Sequence, residues 1–180
     1  MAYTSSQVVQ AVPTGINSAL VYITSTTFTD DVSINNCFSA TYDNYKVVIS
    51  KIVASSGAMS WRFRTGGTDN TNSNYSYGNA GPNTSSGTTS SIGSRRNEAN
   101  WRPLDNATDA DGTSMSFDVL LPFASANTNC AGSAAWEQDN IQVGFSAMVF
   151  NANTSFDGFS LFKTGGTLAG TVTVYGYTKS

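Results

Sequence analysis

The sequence contains no histidine and only two cysteines, Cys37 and Cys130. Without histidine, a protein lacks the usual general base at neutral pH and the commonest zinc ligand. Two cysteines cannot complete a structural zinc site by themselves. We therefore expect neither an enzyme nor a cofactor. Free, buried thiols are favoured over one disulfide, because the chain begins without an export signal.

Charged residues are also scarce, at 12% of the 180 residues against about 25% in an average soluble domain. The net charge of −3 argues against a nucleic-acid partner and against an anionic membrane surface. No apolar run approaches the ~20 residues of a membrane span, so we expect no membrane insertion. The first fifteen residues resemble no secretory signal, since they carry no Lys or Arg and no apolar core.

The residues that are present favour strands and turns. Thr, Val, Tyr and Phe suit pleated sheet, while the abundant Gly, Asn and Ser suit turns. Met59, Trp61 and Phe63 alternate with polar residues, and the same period of two recurs elsewhere. About eight strands are expected, including 20–24, 32–38, 45–53, 58–65, 115–121 and 141–149. This predicts an all-β, jelly-roll-like two-sheet β-sandwich.

Inward faces can be assigned from the same alternation. In 115–121 we expect Met115, Phe117, Val119 and Leu121 to face the core. In 141–149 the apolar set is larger. The other face carries Gln142, Gly144, Ser146 and Met148, so a strand covered on both sides stays an alternative. The expected inward residues of that strand are Ile141, Val143, Phe145, Ala147 and Val149.

The last 25 residues predict a hairpin. Gly165 and Gly166 lie between two strand-like runs and accept the positive φ that tight turns require. In the second run, Val172 and Val174 are expected on one face. The residues expected on the other face are Thr171, Thr173, Tyr175 and Tyr177.

The domain organisation is expected to be simple. Residues 1–19 have no clear period and predict an extended N-terminal attachment arm, and residues 20–180 predict a single β-sandwich domain. The range 66–100 is poor in apolar residues and predicts a long loop, either disordered or holding short strands that a neighbouring subunit steadies. The arm residues expected to make the attachment are Val8, Val9, Val12 and Pro13.

Carboxylates suggest one metal candidate. Asp105, Asp109 and Asp111 lie in an Asp- and Gly-rich stretch that could offer oxygens to Ca²⁺. The stretch lacks the closing Glu of an EF-hand loop, and a surface turn uses the same residues, so the turn is the alternative that we favour. A glycosidase would need two facing carboxylates, for which the candidates near strands are Asp43, Asp118, Glu137 and Asp157.

Aromatic residues suggest a second candidate site. Tyr75 and Tyr77, with Trp101 further along, could stack on sugar rings while neighbouring Asn and Ser bind sugar hydroxyls. The alternative, which we favour, is a short strand whose tyrosines pack on a neighbour. Arg95 and Arg96 could bind an anionic group or pair with carboxylates on a partner, although such a pair often lies in a solvated loop.

Several segments together resemble a known group of proteins. Residues 41–49 (TYDNYKVVI), 61–64 (WRFR), 74–77 (NYSY), 156–159 (FDGF) and 170–176 (GTVTVYG) are similar to small virion structural proteins of tailed bacteriophages, particularly marine and cyanobacterial phages. The resemblance covers about residues 20–178 and carries no catalytic residues.

The resemblance implies a jelly-roll-like domain displayed on the virus particle. It suggests a tail-fibre or tail-appendage subunit involved in host attachment, with a capsid decoration (cement) protein that stabilises the head as the alternative. The implied partners are other virion proteins, a homotrimer or other closed homo-oligomer, and host surface glycan. Such a protein would assemble in the host cytoplasm and reside in the virion, without nucleic acid or membrane insertion.

Overall fold

The computed structural model describes residues 19–55, 58–81, 91–104, 109–137 and 141–179. These ranges contain no helix, so none of them holds a helix long and apolar enough to cross a membrane. They form thirteen strands, with these bounds: β1 Leu20–Phe28, β2 Val32–Ile34, β3 Asn44–Ala54, β4 Met59–Thr65, β5 Thr68–Asp69, β6 Tyr75–Gly81, β7 Ser91–Glu98, β8 Trp101–Leu104, β9 Asp109–Leu120, β10 Thr128–Glu137, β11 Ile141–Phe150, β12 Gly158–Lys163 and β13 Leu168–Tyr177.

The strands form two antiparallel sheets. The larger sheet has eight strands in the order β1-β13-β3-β9-β10-β11-β6-β7. The smaller sheet has five, in the order β2-β12-β4-β5, with β8 also paired to β4. The all-β prediction is confirmed, and the two sheets are consistent with the predicted β-sandwich. The jelly-roll connectivity stays a prediction. The N-terminal arm also stays a prediction, because residues 1–18 lie outside the described ranges.

Aromatic side chains fill the space between the sheets. The Trp61 ring of β4 stacks on Phe159 of β12, with ring centroids 4.0 Å apart and planes 9° from parallel. Trp101 packs edge-on against Phe117 of β9, at 4.7 Å between centroids. Such pairs stabilise a core beyond the area they bury. The predicted inward face of β4 is thereby confirmed, since Met59, Trp61 and Phe63 are fully buried.

On β9 the predicted face is partly confirmed. Met115, Phe117 and Val119 are buried. Leu121 is 39% exposed, lies just beyond the strand, and has a φ of 57°. The prediction for Leu121 was wrong because this left-handed residue turns the chain away from the sheet, which ends the alternation.

The predicted closing hairpin was wrong in its pairing. Gly165 and Gly166 do adopt positive φ, at 94° and 76°. However, β12 pairs with β2 and β4 in the small sheet, whereas β13 pairs with β1 and β3 in the large one. The glycine turn therefore passes from one layer to the other. The faces of β13 are confirmed, since Val172 and Val174 are buried.

The range 66–100 is not a long loop. It contains β5, β6 and β7, and β6 pairs with both β11 and β7 inside the same chain. Of the two alternatives for this range, the short strands are correct. For β6 this pairing is within its own sheet, because a backbone placed between two strands can satisfy its N–H and C=O groups there. Residues 82–90 lie outside the described ranges.

On β11 the face prediction was inverted. Ser146, Met148 and Phe150 are buried, whereas Phe145 and Val149 are 53% and 39% exposed. The side chains of residues 141–143 lie outside the described set. Ser146 belongs inside because its hydroxyl serves a buried indole, as described below. One inward residue fixes its neighbours at a spacing of two, so the faces of residues 144–150 follow.

Candidate functional site

The aromatic residues predicted to stack on sugar belong to the core. Tyr75 and Trp101 are fully buried and Tyr77 is 5% exposed. The Tyr75 hydroxyl donates to the Asn70 carbonyl at 3.1 Å and accepts from the Phe63 N–H at 3.0 Å. The glycan prediction for these three residues was wrong, because a ring must expose a face to stack on a sugar. The favoured alternative, a short strand whose tyrosines pack on a neighbour, agrees with the structure, since Tyr75 of β6 packs against Phe63 and Phe150.

Trp101 is held by a buried chain of hydrogen bonds. Its indole N–H donates to the Ser146 hydroxyl at 3.0 Å, and that hydroxyl donates to Asn79 Oδ1 at 2.6 Å. The Asn79 amide in turn donates to the Arg102 carbonyl at 2.9 Å. These bonds join β8 of the small sheet to β11 and β6 of the large one. Buried indole and hydroxyl groups are thereby satisfied, as a core requires.

The predicted calcium site falls mostly outside the described residues. This is true of Asp105 and of the side chains of Asp109 and Asp111, whose backbones open β9 instead of forming a loop. Among the side chains that the structure does describe, no group of three Cys, Asp or Glu could hold a metal ion. The attachment-arm residues also lie outside the described ranges, namely Val8, Val9, Val12 and Pro13.

The carboxylates considered for hydrolysis have structural partners. Asp43 pairs with Lys179 at 2.9 Å, and Asp157 Oδ2 accepts from the Gly66 N–H at 2.7 Å. Asp118 Oδ1 lies 3.1 Å from Lys46 Nζ and accepts from the Tyr177 hydroxyl at 2.5 Å.

Burial, then this hydrogen bond and the nearby charge of Asp118, raise the pKa of the Tyr177 hydroxyl to about 12. The Glu137 side chain lies outside the described set.

Both cysteines are free and buried, as predicted. The Cys37 thiol donates weakly to the Ile34 carbonyl at 3.8 Å. Burial raises the pKa of both thiols, because the thiolate would lose its hydration inside the core. A thiol of this kind is a poor nucleophile at neutral pH.

The outer face of the large sheet has a regular chemical order that sequence reasoning did not find. One row of cross-strand partners runs across all eight strands. It begins with aromatic and charged residues and ends with small ones. In strand order the row is Tyr22, Tyr175, Lys46, Asp118, Ala131, Ala147, Gly78 and Ser94.

The small half of this row forms the floor of a groove of about 480 Å³. Ala131, Ala147 and Gly78 make the floor, and Leu120 and Val149 line it from the next row. Leu120 and Val149 are each 39% exposed. The groove crosses β10, β11, β6 and β7, a span of about 14 Å at the usual strand spacing. Its volume falls in the range of ligand sites, roughly 300–1,000 Å³.

Arg95 and Arg96 lie at the β7 end of the groove. Both side chains are exposed, and β7 is an edge strand of the sheet. Neither arginine forms an ion pair with any carboxylate that the structure describes. From the sequence, this pair could either bind an anionic group or partner carboxylate, or lie in a solvated loop. The structure places it on a strand beside a groove.

Comparison with protein-family models, with curated proteins and with solved structures finds no match. Any function must therefore be argued from the chemistry of this surface and from the sequence. The groove itself could not be read from the sequence, because Gly78, Ala131 and Ala147 become neighbours only through the strand order and register.

Proposed function

We propose that this protein is a structural subunit of a bacteriophage particle, displayed on its surface in a tail appendage that takes part in host attachment. The groove on the outer face carries the proposal. Its floor of alanine and glycine, with leucine and valine beside it and serine, asparagine and arginine at the rim, suits the binding of a ligand. The resemblance of the sequence to phage structural proteins supports a place for this protein in a virus particle. Such a particle would assemble in the host cytoplasm.

The sandwich suits display because a closed aromatic core is stiff. A face held in place by a paired sheet presents its side chains with little ordering cost at each binding event. The subunit works as a homotrimer or another closed homo-oligomer, which multiplies weak contacts with a repetitive surface. The other virion proteins are its structural partners, and its role involves no catalysis.

A capsid decoration protein is the second candidate. Phe145 is 53% exposed and lies on the same outer face as Leu120 and Val149. Exposed apolar residues grouped on one face are typical of a protein–protein contact. On this alternative, the face would clamp neighbouring capsid subunits and stabilise the head.

Labelled imaging of virus particles tests the proposal. Antibody raised against the purified protein should place gold particles on the tail of virions that carry it. Label on the head would favour decoration instead, and capsids lacking the protein should then burst at a lower temperature. Particles with no label at either place would refute both candidates.

The oligomer has its own measurement. Light scattering on the purified protein should give the mass of a trimer or another closed ring. A monomer at concentrations of tens of micromolar would contradict the assembly part of the proposal, while leaving the location on the particle to the imaging experiment.

A further inference from the structure

We propose that the groove binds a linear polysaccharide that carries carboxylate groups, and that the sugar chain runs across the strands from the arginines toward Asp118. This rests on the proposed role in host attachment and names the ligand class for it. The proposal depends on the shape of the floor, on Arg96, which forms no ion pair with a carboxylate that the structure describes, and on the direction of the groove.

The floor fits the face of a sugar ring. A pyranose presents C–H groups on its face and hydroxyls around its edge, so it favours an apolar floor with polar groups at the rim. Ala131, Ala147 and Gly78 provide the floor, and even a Cβ on Gly78 would lie 3.6 Å from its nearest neighbour, the Gly93 carbonyl. The polar rim consists of Ser76, Ser94 and Asn129.

Arg96 selects for carboxylates. A guanidinium presents parallel N–H groups that match the two oxygens of a carboxylate, so Arg96 can bind it in a forked arrangement. Arg95 is the cross-strand partner of the inward-facing Tyr77, so its side chain starts from the other face of β7. Arg96 lies at the edge of an otherwise neutral groove, in a chain whose net charge is −3. A neutral glycan would leave this local charge unused, and a cationic ligand would be repelled by it.

The direction of the groove argues against a peptide as the ligand. Peptides that bind sheets add along an edge, where backbone groups are free. Here β10, β11 and β6 each have a strand on both sides, so their backbone groups are already paired. A peptide lying across them would bury its own N–H and C=O groups without partners, whereas sugar hydroxyls can stay at the wet rim.

The row beyond the groove can extend the contact. It continues through the Asp118–Lys46 ion pair to Tyr175 and Tyr22. Tyr22 is 60% exposed and packs edge-on against Tyr175, with ring centroids 6.2 Å apart. An exposed tyrosine ring is a suitable platform for a further sugar residue of the same chain.

Binding of defined polymers to the purified protein tests the inference. The probes are the polyuronates alginate, polygalacturonate and hyaluronan, with neutral dextran and poly-glutamate as references, measured by calorimetry at two salt concentrations. We expect saturable binding of at least one polyuronate that weakens with salt, and no binding of dextran. Poly-glutamate should bind at least tenfold more weakly, since it has charge but no sugar face.

Two variants and two matched controls locate the site. Arg96→Gln should weaken polyuronate binding about fivefold, as expected for one exposed charge pair. Ala147→Leu should remove binding by filling the groove. Lys51→Gln removes one exposed positive charge away from the groove, and Ala169→Leu enlarges an alanine to leucine on β13. Both variants should therefore bind polyuronate with the affinity of the natural sequence. Arg96→Gln lies on an exposed edge and keeps the test valid if Ala147→Leu fails to fold.

Three results would overturn the inference. These are no binding of any polyuronate, equally tight binding of poly-glutamate, or an Arg96→Gln variant that binds as well as Lys51→Gln. None of them touches the location of the protein on virions, which the labelling experiment decides. Tail label without polyuronate binding would therefore reject only the proposed ligand class. Polyuronate binding without virion label would reject only the proposed location on a virus particle.

Discussion

Replacing Gly132 by alanine should destabilise the large sheet. Gly132 lies on β10, opposite Phe117 of β9 and Ser146 of β11. A Cβ at this position would lie 2.7 Å from the Phe117 Cα and closer still to the Ser116 carbonyl oxygen. Both are backbone atoms of β9, so a rotamer change cannot relieve the overlap. The two strands would have to separate.

The expected magnitude follows from two opposing effects. Overpacking a core costs about 1–3 kcal/mol, and a clash with backbone belongs at the upper end. Alanine also restricts the unfolded chain, which offsets about 0.4–1 kcal/mol. The net loss should be about 2 kcal/mol in the free energy of unfolding. For a chain of this length, that lowers Tm by roughly 4–8 °C.

Gly93→Ala is the matched control. Gly93 lies on the edge strand β7, where a Cβ would meet nothing within 4 Å, and its φ is not in the left-handed region. This variant should be neutral or slightly more stable than the natural sequence. Urea titration of both variants gives their free energies of unfolding. The two values can be compared directly when the free energy falls with urea concentration at the same slope in both. If Gly132→Ala proves as stable as Gly93→Ala, the close approach of β9 and β10 at Gly132 is refuted.

Three further predictions concern Ser146, Tyr177 and the two cysteines. Ser146→Ala should lower the free energy of unfolding by about 1–3 kcal/mol in urea titration, because the Trp101 indole loses its acceptor; an unchanged value would contradict the network. Since the folded pKa of Tyr177 is raised to about 12, its contribution to stability is complete below pH ~10 and is lost toward pH 12. The free energy of unfolding of Tyr177→Phe should therefore fall less steeply with pH across that window than that of the natural sequence. Identical pH profiles for the two proteins would contradict the raised pKa of Tyr177. Cys37 and Cys130 should react with a disulfide reagent at pH 8 only after denaturation, and rapid labelling of the native protein would disprove their burial.

The sequence was sufficient for strands in which one face is apolar and the other polar. On β4 and β13 the apolar residues that the alternation places inward are buried, including Trp61, Phe63, Val172 and Val174, although Ser60 of β4 is buried as well. In such strands a slip of one residue would expose the whole apolar set, so the pattern determines the face. The same reasoning missed β10, because its alanines, one glycine and one serine give little contrast in polarity between the two faces.

Pairing between distant strands was much less predictable. Gly165 and Gly166 correctly indicated a tight turn, but a turn does not determine whether the chain folds back on itself or enters the other layer. That choice depends on β2, β4, β1 and β3, which offer partners to β12 and β13 from elsewhere in the chain. The prediction that Tyr75, Tyr77 and Trp101 bind sugar was wrong for a related reason. Whether these rings are exposed depends on which other strands pack over them, and the sequence alone does not show this.

The wrong face prediction for β11 also explains why the candidate site was not found from the sequence. Apolar residues occupy both of its faces, so alternation alone favoured Phe145 and Val149 inside. That arrangement would move Ser146 out of the core and leave the Trp101 indole N–H without its acceptor, at a cost of about 1–3 kcal/mol. With Ser146, Met148 and Phe150 inside, Phe145 and Val149 must lie on the outer face. The hydrogen bond that satisfies a buried tryptophan thus leaves exposed apolar side chains around a floor of small residues, and a surface of that kind gains free energy when a ligand or partner covers it.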